Sequence, residues 1–245
     1  APAQAPRAPS SAEDARREER VKMTRLRATI ARRLKDAQNT AAILTTYNEV
    51  DMSGVMDLRN AYKDQFEKKH KVKLGFMSFF VKACCHALKE VPEVNAEIDG
   101  DDVVYKNFVH MGIAVGGPNG LVVPVIKGAD SKGILEISRE LGDLSAKARA
   151  GELKSQDMQG ATFTISSLVG IGGTAFTPII NAPEVAILGL SKSAMKPVWD
   201  GSSFQPRLML PLSLSYDHRV IDGAGAARFT AYLAEVLADL RKTLL

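Results

Sequence analysis

Between Arg207 and Tyr216 the chain reads RLMLPLSLSY, with Leu208, Leu210, Leu212 and Leu214 at every second position. Strict alternation puts four leucines on one face of an extended segment, so this run predicts a strand with one face on a core. Beyond Asp222-Gly223 the spacing changes: Phe229, Leu233, Val236, Leu237 and Leu240 recur at three- and four-residue intervals, which predicts an amphipathic helix closing the chain. A one-sided strand followed by a one-sided helix buries both apolar faces when the helix lies on a sheet. His218 then stands at a strand end in a charged turn, between Asp217 and Arg219, with Asp222 four residues on.

The rest of the chain repeats this mixture. Leu26, Ile30 and Leu34 form a stripe in a helix predicted from Val21 to Thr40, with Arg25, Arg32, Arg33 and Lys35 largely off it as a solvated basic face. ILTTYNEVDMS predicts a strand, with Asp51 or Ser53 capping a helix that carries Val55, Leu58, Tyr62 and Phe66. A buried helix follows from Phe76 to Leu88, stopped by Pro92. Short strands through VVYKNFVHMGIAV and LVVPVI flank the turn GGPNG, and Leu135, Ile137, Leu141, Leu144 and Ala148 predict a helix ending before Gly151. ATFTISS and EVAILGL add two strands. Hairpin and crossover spacings both occur, so the expected fold class is α/β, a mixed sheet covered by helices.

Composition removes several function classes. Lys and Arg total 32 against 28 Asp and Glu, a net charge of +4, too small and dispersed for a nucleic-acid binder. The apolar stretches, such as GFMSFFVKACCHAL, are too short and interrupted for a membrane span. The two cysteines, Cys84 and Cys85, are adjacent in a helical pattern, which suits a reduced, cytoplasmic compartment better than a disulfide framework. Residues 1–20, APAQAPRAPSSAEDARREER, have almost no large apolar side chain and are expected to be a flexible linker ahead of one domain at residues 21–245.

The glycines of VGIGGTAF lack the pattern of a dinucleotide or phosphate loop. His70, His86 and His110 have no second ligand at metal spacing and are read as surface or core residues. DHRVIDG is different, because it sets an ionisable base, a carboxylate and a glycine at a strand end. TFTISS offers the Ser166 hydroxyl at the end of a second strand, the kind of donor that a charged tetrahedral intermediate needs.

SYDHRVIDG, FTISS, NAPEVAILG, PRLMLPLSLS and the terminal DLRKTLL together resemble the catalytic core of the dihydrolipoyl acyltransferase component of 2-oxo acid dehydrogenase complexes, from about Glu19 to Leu245. MTRLRATIARRLKDAQNTAAILTTYNEVDMS and KLGFMSFFVKA resemble the succinyltransferase branch. From NGLVVPVIKG onward, KGILEISREL, MQGATFTISS and GGTAFTPIINAPEVAILGLSKSAMKPVWDG resemble the acetyltransferase branch, so the chain reads as a mosaic.

The resemblance implies a trimer-forming fold shared with chloramphenicol acetyltransferase, with each active site between two subunits and the terminal Leu244 and Leu245 inserted into a neighbouring trimer of a cage. It implies a lipoyl group carried on a separate upstream domain, coenzyme A as a substrate, no metal, and decarboxylase and dihydrolipoyl dehydrogenase partners. The location implied is the cytoplasm of a bacterium, or a mitochondrial matrix in a eukaryote. His218 is implied as general base, Ser166 as oxyanion donor and Asp222 as the residue that holds the site. Leu168, Gly173, Phe176 and Ser191 are implied to wall the acyl pocket. The succinyl branch carries two serines and a histidine where Gly173, Phe176 and Ser191 stand, so acetyl is the expected acyl group, with succinyl kept open by TTYNEV. An alternative of another class is a structural scaffold whose purpose is the cage itself.

Overall fold

Ten strands and six α-helices alternate along residues 8–118 and 120–244, the part of the chain that this computed structural model describes. In chain order they are α1 (Ala12–Ala15), α2 (Arg25–Thr40), β1 (Ile43–Asp51), α3 (Ser53–His70), α4 (Phe76–Glu90), β2 (Ala96–Asp99), β3 (Asp102–Tyr105), β4 (Met111–Gly117), β5 (Gly120–Val122), β6 (Val125–Ile126), α5 (Ile134–Ala150), β7 (Phe163–Ser167), β8 (Ala186–Leu190), β9 (Ala194–Trp199), β10 (Phe204–Asp217) and α6 (Gly223–Ala238).

The main sheet runs β1-β10-β8-β7-β4-β5, with β6 also on β4 and β9 also on β10. Strands β4, β7 and β8 are mutually parallel and the other pairings antiparallel, which is the expected mixed sheet. The period-two rule sorts its faces. Phe163, Ile165, Leu188, Leu190, Leu212 and Leu214 point to one side and are completely or almost completely buried. Helices α4 and α6 cover that side, with the rings of Phe163 and Phe229 5.7 Å apart. At about 1.5–3 kcal/mol for each large apolar side chain withdrawn from water, this layer is the main source of stability.

Helix ends follow local chemistry. Helix α5 closes on Gly151 at φ 72°, a left-handed conformation that a residue with a Cβ adopts only under strain. Helix α3 is capped by Met52, which makes no side-chain cap bond, rather than by the expected Asp51 or Ser53, although the Asp51 carboxylate accepts the Ser53 backbone N–H at 2.8 Å. The closing helix is shorter than its periodicity predicts: α6 ends at Ala238, and Leu240–Leu244 form a separate 3-10 turn. Burial pushes the Cys85 thiol up to about 12 and Cys84 well above its usual range, so both sulfurs are held as neutral core atoms.

Of the expected linker, residues 1–7 lie outside the described residues, and residues 8–20 are exposed apart from the half-buried Ser10. They include one helical turn, α1, whose N-cap Ser11 accepts from the Asp14 N–H. In α2 only Ala37 is buried; of the predicted stripe, Leu26 and Leu34 are nearly half exposed and Ile30 is half-buried.

Candidate active site

The second face of the sheet is polar, unusually for a surface in the middle of a sheet. Thr164 and Ser166 of β7 alternate with the buried Phe163 and Ile165, so their hydroxyls point away from the helices. Beside them on the same face stand Ile187 and Gly189 of β8, then Ser213 and Ser215 of β10. A cleft of about 1230 Å³ lies over this face, and its walls include Ser166, Thr164, Phe176, Glu184, His110 and Arg219. Ser166 is half-buried there, at the C-terminal end of β7, as its sequence position predicts.

His218 is the first residue beyond β10, and its main chain is clamped. The His218 N–H donates to the Ala42 carbonyl at 2.9 Å. One oxygen of Asp217 accepts the N–H groups of Ala42 and Arg219, at 3.2 and 3.1 Å, and the guanidinium of Arg219 grips the same carboxylate from the side, the shortest bond being 2.6 Å. Burial acts to raise the Asp217 carboxyl, but the hydrogen bonds from Arg219 and the two backbone N–H groups outweigh it and hold the group below its ordinary value. Asp217 and Arg219 thus fix the strand end from both sides of the histidine. The imidazole itself projects into solvent, 6.1 Å from the Tyr216 ring between centroids.

The single chain does not bring Ser166 and His218 together. Ser166 is level with Gly189 on β8, and Gly189 with Ser213 on β10. His218 lies five positions further along β10, so the two are separated by about 16 Å along the strands and about 10 Å across them. Proton transfer needs contact at about 3 Å. Neither side chain is hydrogen-bonded within the described residues.

The remaining expected site residues fall in different places. Asp222 caps α6: its carboxylate accepts the Gly225 N–H at 2.6 Å, and it makes no hydrogen bond to His218. Phe176 shares the cleft with Ser166. Leu168 and Gly173 lie in the loop after β7, half-buried and exposed respectively, and neither lines the cleft. Ser191 follows β8, is fully buried and also stands outside the cleft wall.

Two wall residues carried no sequence signal. Glu184 is only 5% exposed, accepts from Asn181 Nδ2 at 2.6 Å, and leaves its second oxygen without a hydrogen bond. Burial pushes its carboxyl up to about 7, while Thr164 and Asn181 hold the rise back. His110 accepts the Gly128 N–H on Nδ1 at 2.9 Å, which leaves the neutral ring's proton on Nε2. A lone Glu in NAPEVAILG and a lone His in FVHMGI have no spacing that marks them.

The family described as 2-oxoacid dehydrogenases acyltransferase (catalytic domain) matches residues 15–245. The chain is 57% identical, over 229 residues covering 94% of it and 56% of the relative, to the succinyltransferase component of the 2-oxoglutarate dehydrogenase complex of Bartonella vinsonii subsp. berkhoffii. It is 54% identical over 202 residues, 82% of this chain and 36% of the relative, to the acetyltransferase component of the pyruvate dehydrogenase complex of Cupriavidus necator. The chain therefore spans about half the length, or less, of these relatives. Among solved structures, it superposes with a TM-score of 0.93 at 50% identity, over 98% of this chain and 100% of the other, on an Azotobacter vinelandii dihydrolipoamide acetyltransferase studied for the catalytic role of a serine, a histidine and an asparagine. A structure of the cubic core of the pyruvate dehydrogenase multienzyme complex gives the same TM-score at 49% identity, covering the same shares of the two chains. Chloramphenicol acetyltransferase, at 17% identity and a TM-score of 0.57 over 84% of this chain and 94% of the other, shares the fold.

Proposed function

This chain belongs to the acyltransferases of the 2-oxo acid dehydrogenase complexes, through their catalytic domain, and from that premise we propose that it passes an acyl group between a dihydrolipoyl thioester and the thiol of coenzyme A at a site completed by a second copy of itself. The observation that carries this reading is the separation of Ser166 from His218: each is available at a surface and neither can reach the other within one chain. Placing His218 of one copy over the cleft of the next supplies the missing base.

The chemistry then follows from ordinary acidities. A thiol near pKa 8.5 is mostly protonated at neutral pH, and an imidazole near 6.5 is matched to accept its proton. As the proton passes to His218, the sulfur attacks the thioester carbon and the carbonyl electron pair moves onto oxygen. The Ser166 hydroxyl donates to that oxyanion. Collapse restores the carbonyl and expels the lipoyl thiolate, which takes the proton back from the imidazolium. Asp217 and Arg219 act as positioning residues by fixing the main chain on both sides of His218.

What supports succinyl as the acyl group is the run of relatives, with 57% identity across 94% of the chain for a succinyltransferase against 54% across 82% for an acetyltransferase. The expectation of acetyl rested on the absence of the polar trio, and one observation favours it: an aromatic ring, Phe176, stands in the cleft beside Ser166. Assembly has its own support. Leu26 and Leu34 of the α2 stripe are nearly half exposed, Leu244 is 85% exposed, and an apolar hollow of about 200 Å³ lined by Met52, Met56, Phe76, Leu208 and Leu210 suits a buried leucine. Seating Leu244 there is worth about 1.5–3 kcal/mol per copy, multiplied by symmetry in a cage of trimers. Leu245 lies outside the described residues.

Steady-state rates with acetyl- and succinyl-coenzyme A and dihydrolipoamide test the reading. Ser166→Ala should lower kcat about 10²- to 10³-fold with little change in KM, because the oxyanion exists only in the transition state. A rise in KM with kcat unchanged would remove Ser166 from this role.

A further inference from the structure

We propose that Glu184 and Thr164 form a second polar site in the cleft, one that holds the secondary amide nearest the thiol of a pantetheine-type arm. The proposal rests on the acyl-transfer reading and adds to it two binding residues that touch a substrate away from its reacting atoms. Both side chains are almost completely buried, and both line the cleft. Glu184 Oε1 accepts from Asn181 Nδ2, but Glu184 Oε2 and Thr164 Oγ1 have no hydrogen bond among the described residues. Thr164 stands near enough to Glu184 to act on its carboxyl, yet the two do not bond to each other. Polar atoms buried this deeply are nearly always paired, so two left open in one stretch of wall mark where a ligand brings its own polar groups.

The chemistry of the two groups selects the ligand. Burial pushes the Glu184 carboxyl up to about 7, so around neutrality and below it keeps a proton that Oε2 can donate. The threonine oxygen can accept. One donor beside one acceptor matches a secondary amide, whose carbonyl takes the carboxyl's proton while its N–H meets the threonine. Ile180, Val185 and Ile187 also line the cleft and suit the methylenes on either side of such an amide. Spacing then chooses between the two arms of the reaction. Thr164 is two residues before Ser166 on the same face of β7, about 6.6 Å away. In an S-acyl pantetheine four bonds separate the thioester carbon from the first amide nitrogen, about 5 Å of extended chain, which brings that amide within one hydrogen bond of Thr164. In an S-acyl dihydrolipoamide the separation is seven to nine bonds, about 8–11 Å, and carries the amide past it.

The test compares pantetheine with an analogue in which a trans-alkene replaces that amide, keeping its shape and removing both polar groups. Each thiol accepts the acyl group from S-acyl dihydrolipoamide, and the readout is the ratio of their kcat/KM values within one preparation, which does not depend on the folded fraction. Wild type should favour the amide by about tenfold or more, mainly through KM. Glu184→Met and Thr164→Val should each lower that preference severalfold, and the double variant should abolish it. Glu184→Gln, whose side-chain nitrogen donates from the same place, should keep it. A matching pair, dihydrolipoyl methylamide and its alkene isostere with acetyl-coenzyme A as donor, should show no dependence on either residue. A pantetheine preference that is absent in wild type, or that Glu184→Met and Thr164→Val leave untouched, would overturn the proposal, as would a loss confined to the lipoyl pair. A wild type that acylates no thiol in either series would overturn the acyl-transfer reading beneath it, and the amide site with it.

Discussion

Glu184 shows what one misplaced charge does to this molecule. Its carboxyl is nearly sealed in the cleft wall, with one hydrogen bond from Asn181, and burial lifts it to about 7 from an ordinary 4.5. A raised acid binds its proton more tightly in the folded chain than in the unfolded one. Its stabilising contribution is therefore complete below about pH 4.5 and is lost as pH rises through about 7. At 1.36 kcal/mol per unit, the loss is about 3 kcal/mol. Glu184→Gln keeps the shape and cannot ionise, so denaturant midpoints of the two proteins at pH 5 and pH 8 should diverge, the variant gaining about 3 kcal/mol on wild type at the higher pH. Parallel behaviour across that range would show the carboxylate to be solvated or paired in the folded protein. The sequence carried no warning of this residue, because a buried acid is marked by what packs over it and not by its neighbours along the chain.

Among the elements, α6 ties the turn that carries His218 to the core. Its residues Phe229, Leu233, Val236 and Leu237 are completely buried, and its first turn hangs on the Asp222 carboxylate through the 2.6 Å bond from Gly225 N–H. A cap of this kind is worth about 1 kcal/mol, and asparagine serves nearly as well as aspartate. Asp222→Ala should lower stability by about that amount in thermal unfolding, while Asp222→Asn should be close to neutral. An asparagine variant as unstable as the alanine one would mean that the charge, rather than the cap, is what the helix uses. The same region shows how far periodicity carries. Leu208 to Leu214 alternate because one side of β10 meets the core, and that half of the strand is legible. Its first residues, Phe204–Arg207, pair only with β9 in a ribbon open to solvent, with Trp199 and Phe204 both more than half exposed. Without burial there is no alternation to read, and β9 has no mark in the sequence. Helix α6 was legible in its middle and overextended at its end, since Leu240 keeps the spacing after Asp239 has turned the chain.

At the scale of the molecule, Ser166 and His218 were each legible as polar residues at strand ends, but their separation was not. It depends on β8 lying between β7 and β10 and on the register of both pairings, neither of which is written in the local pattern. The same limit explains why Ser191, fully buried, and Gly173, out on its loop, do not join Phe176 in the cleft wall. A partly exposed apolar stripe on α2 and an exposed Leu244 agree with a chain whose surface is finished by its copies. The central claim is that one copy's His218 works on another copy's Ser166, and mixed assembly tests it most directly. His218→Ala and Ser166→Ala chains, each nearly inactive alone, would be co-expressed in equal amounts and purified as one assembly. In a closed ring, a site between copies is intact whenever a chain lacking only Ser166 donates its histidine to a chain lacking only His218, which random mixing gives at about one site in four. The account predicts acyl transfer restored to about a quarter of the wild-type rate. Mixed assemblies no more active than the two variants apart would contradict it, and would mean that each chain carries its own complete site.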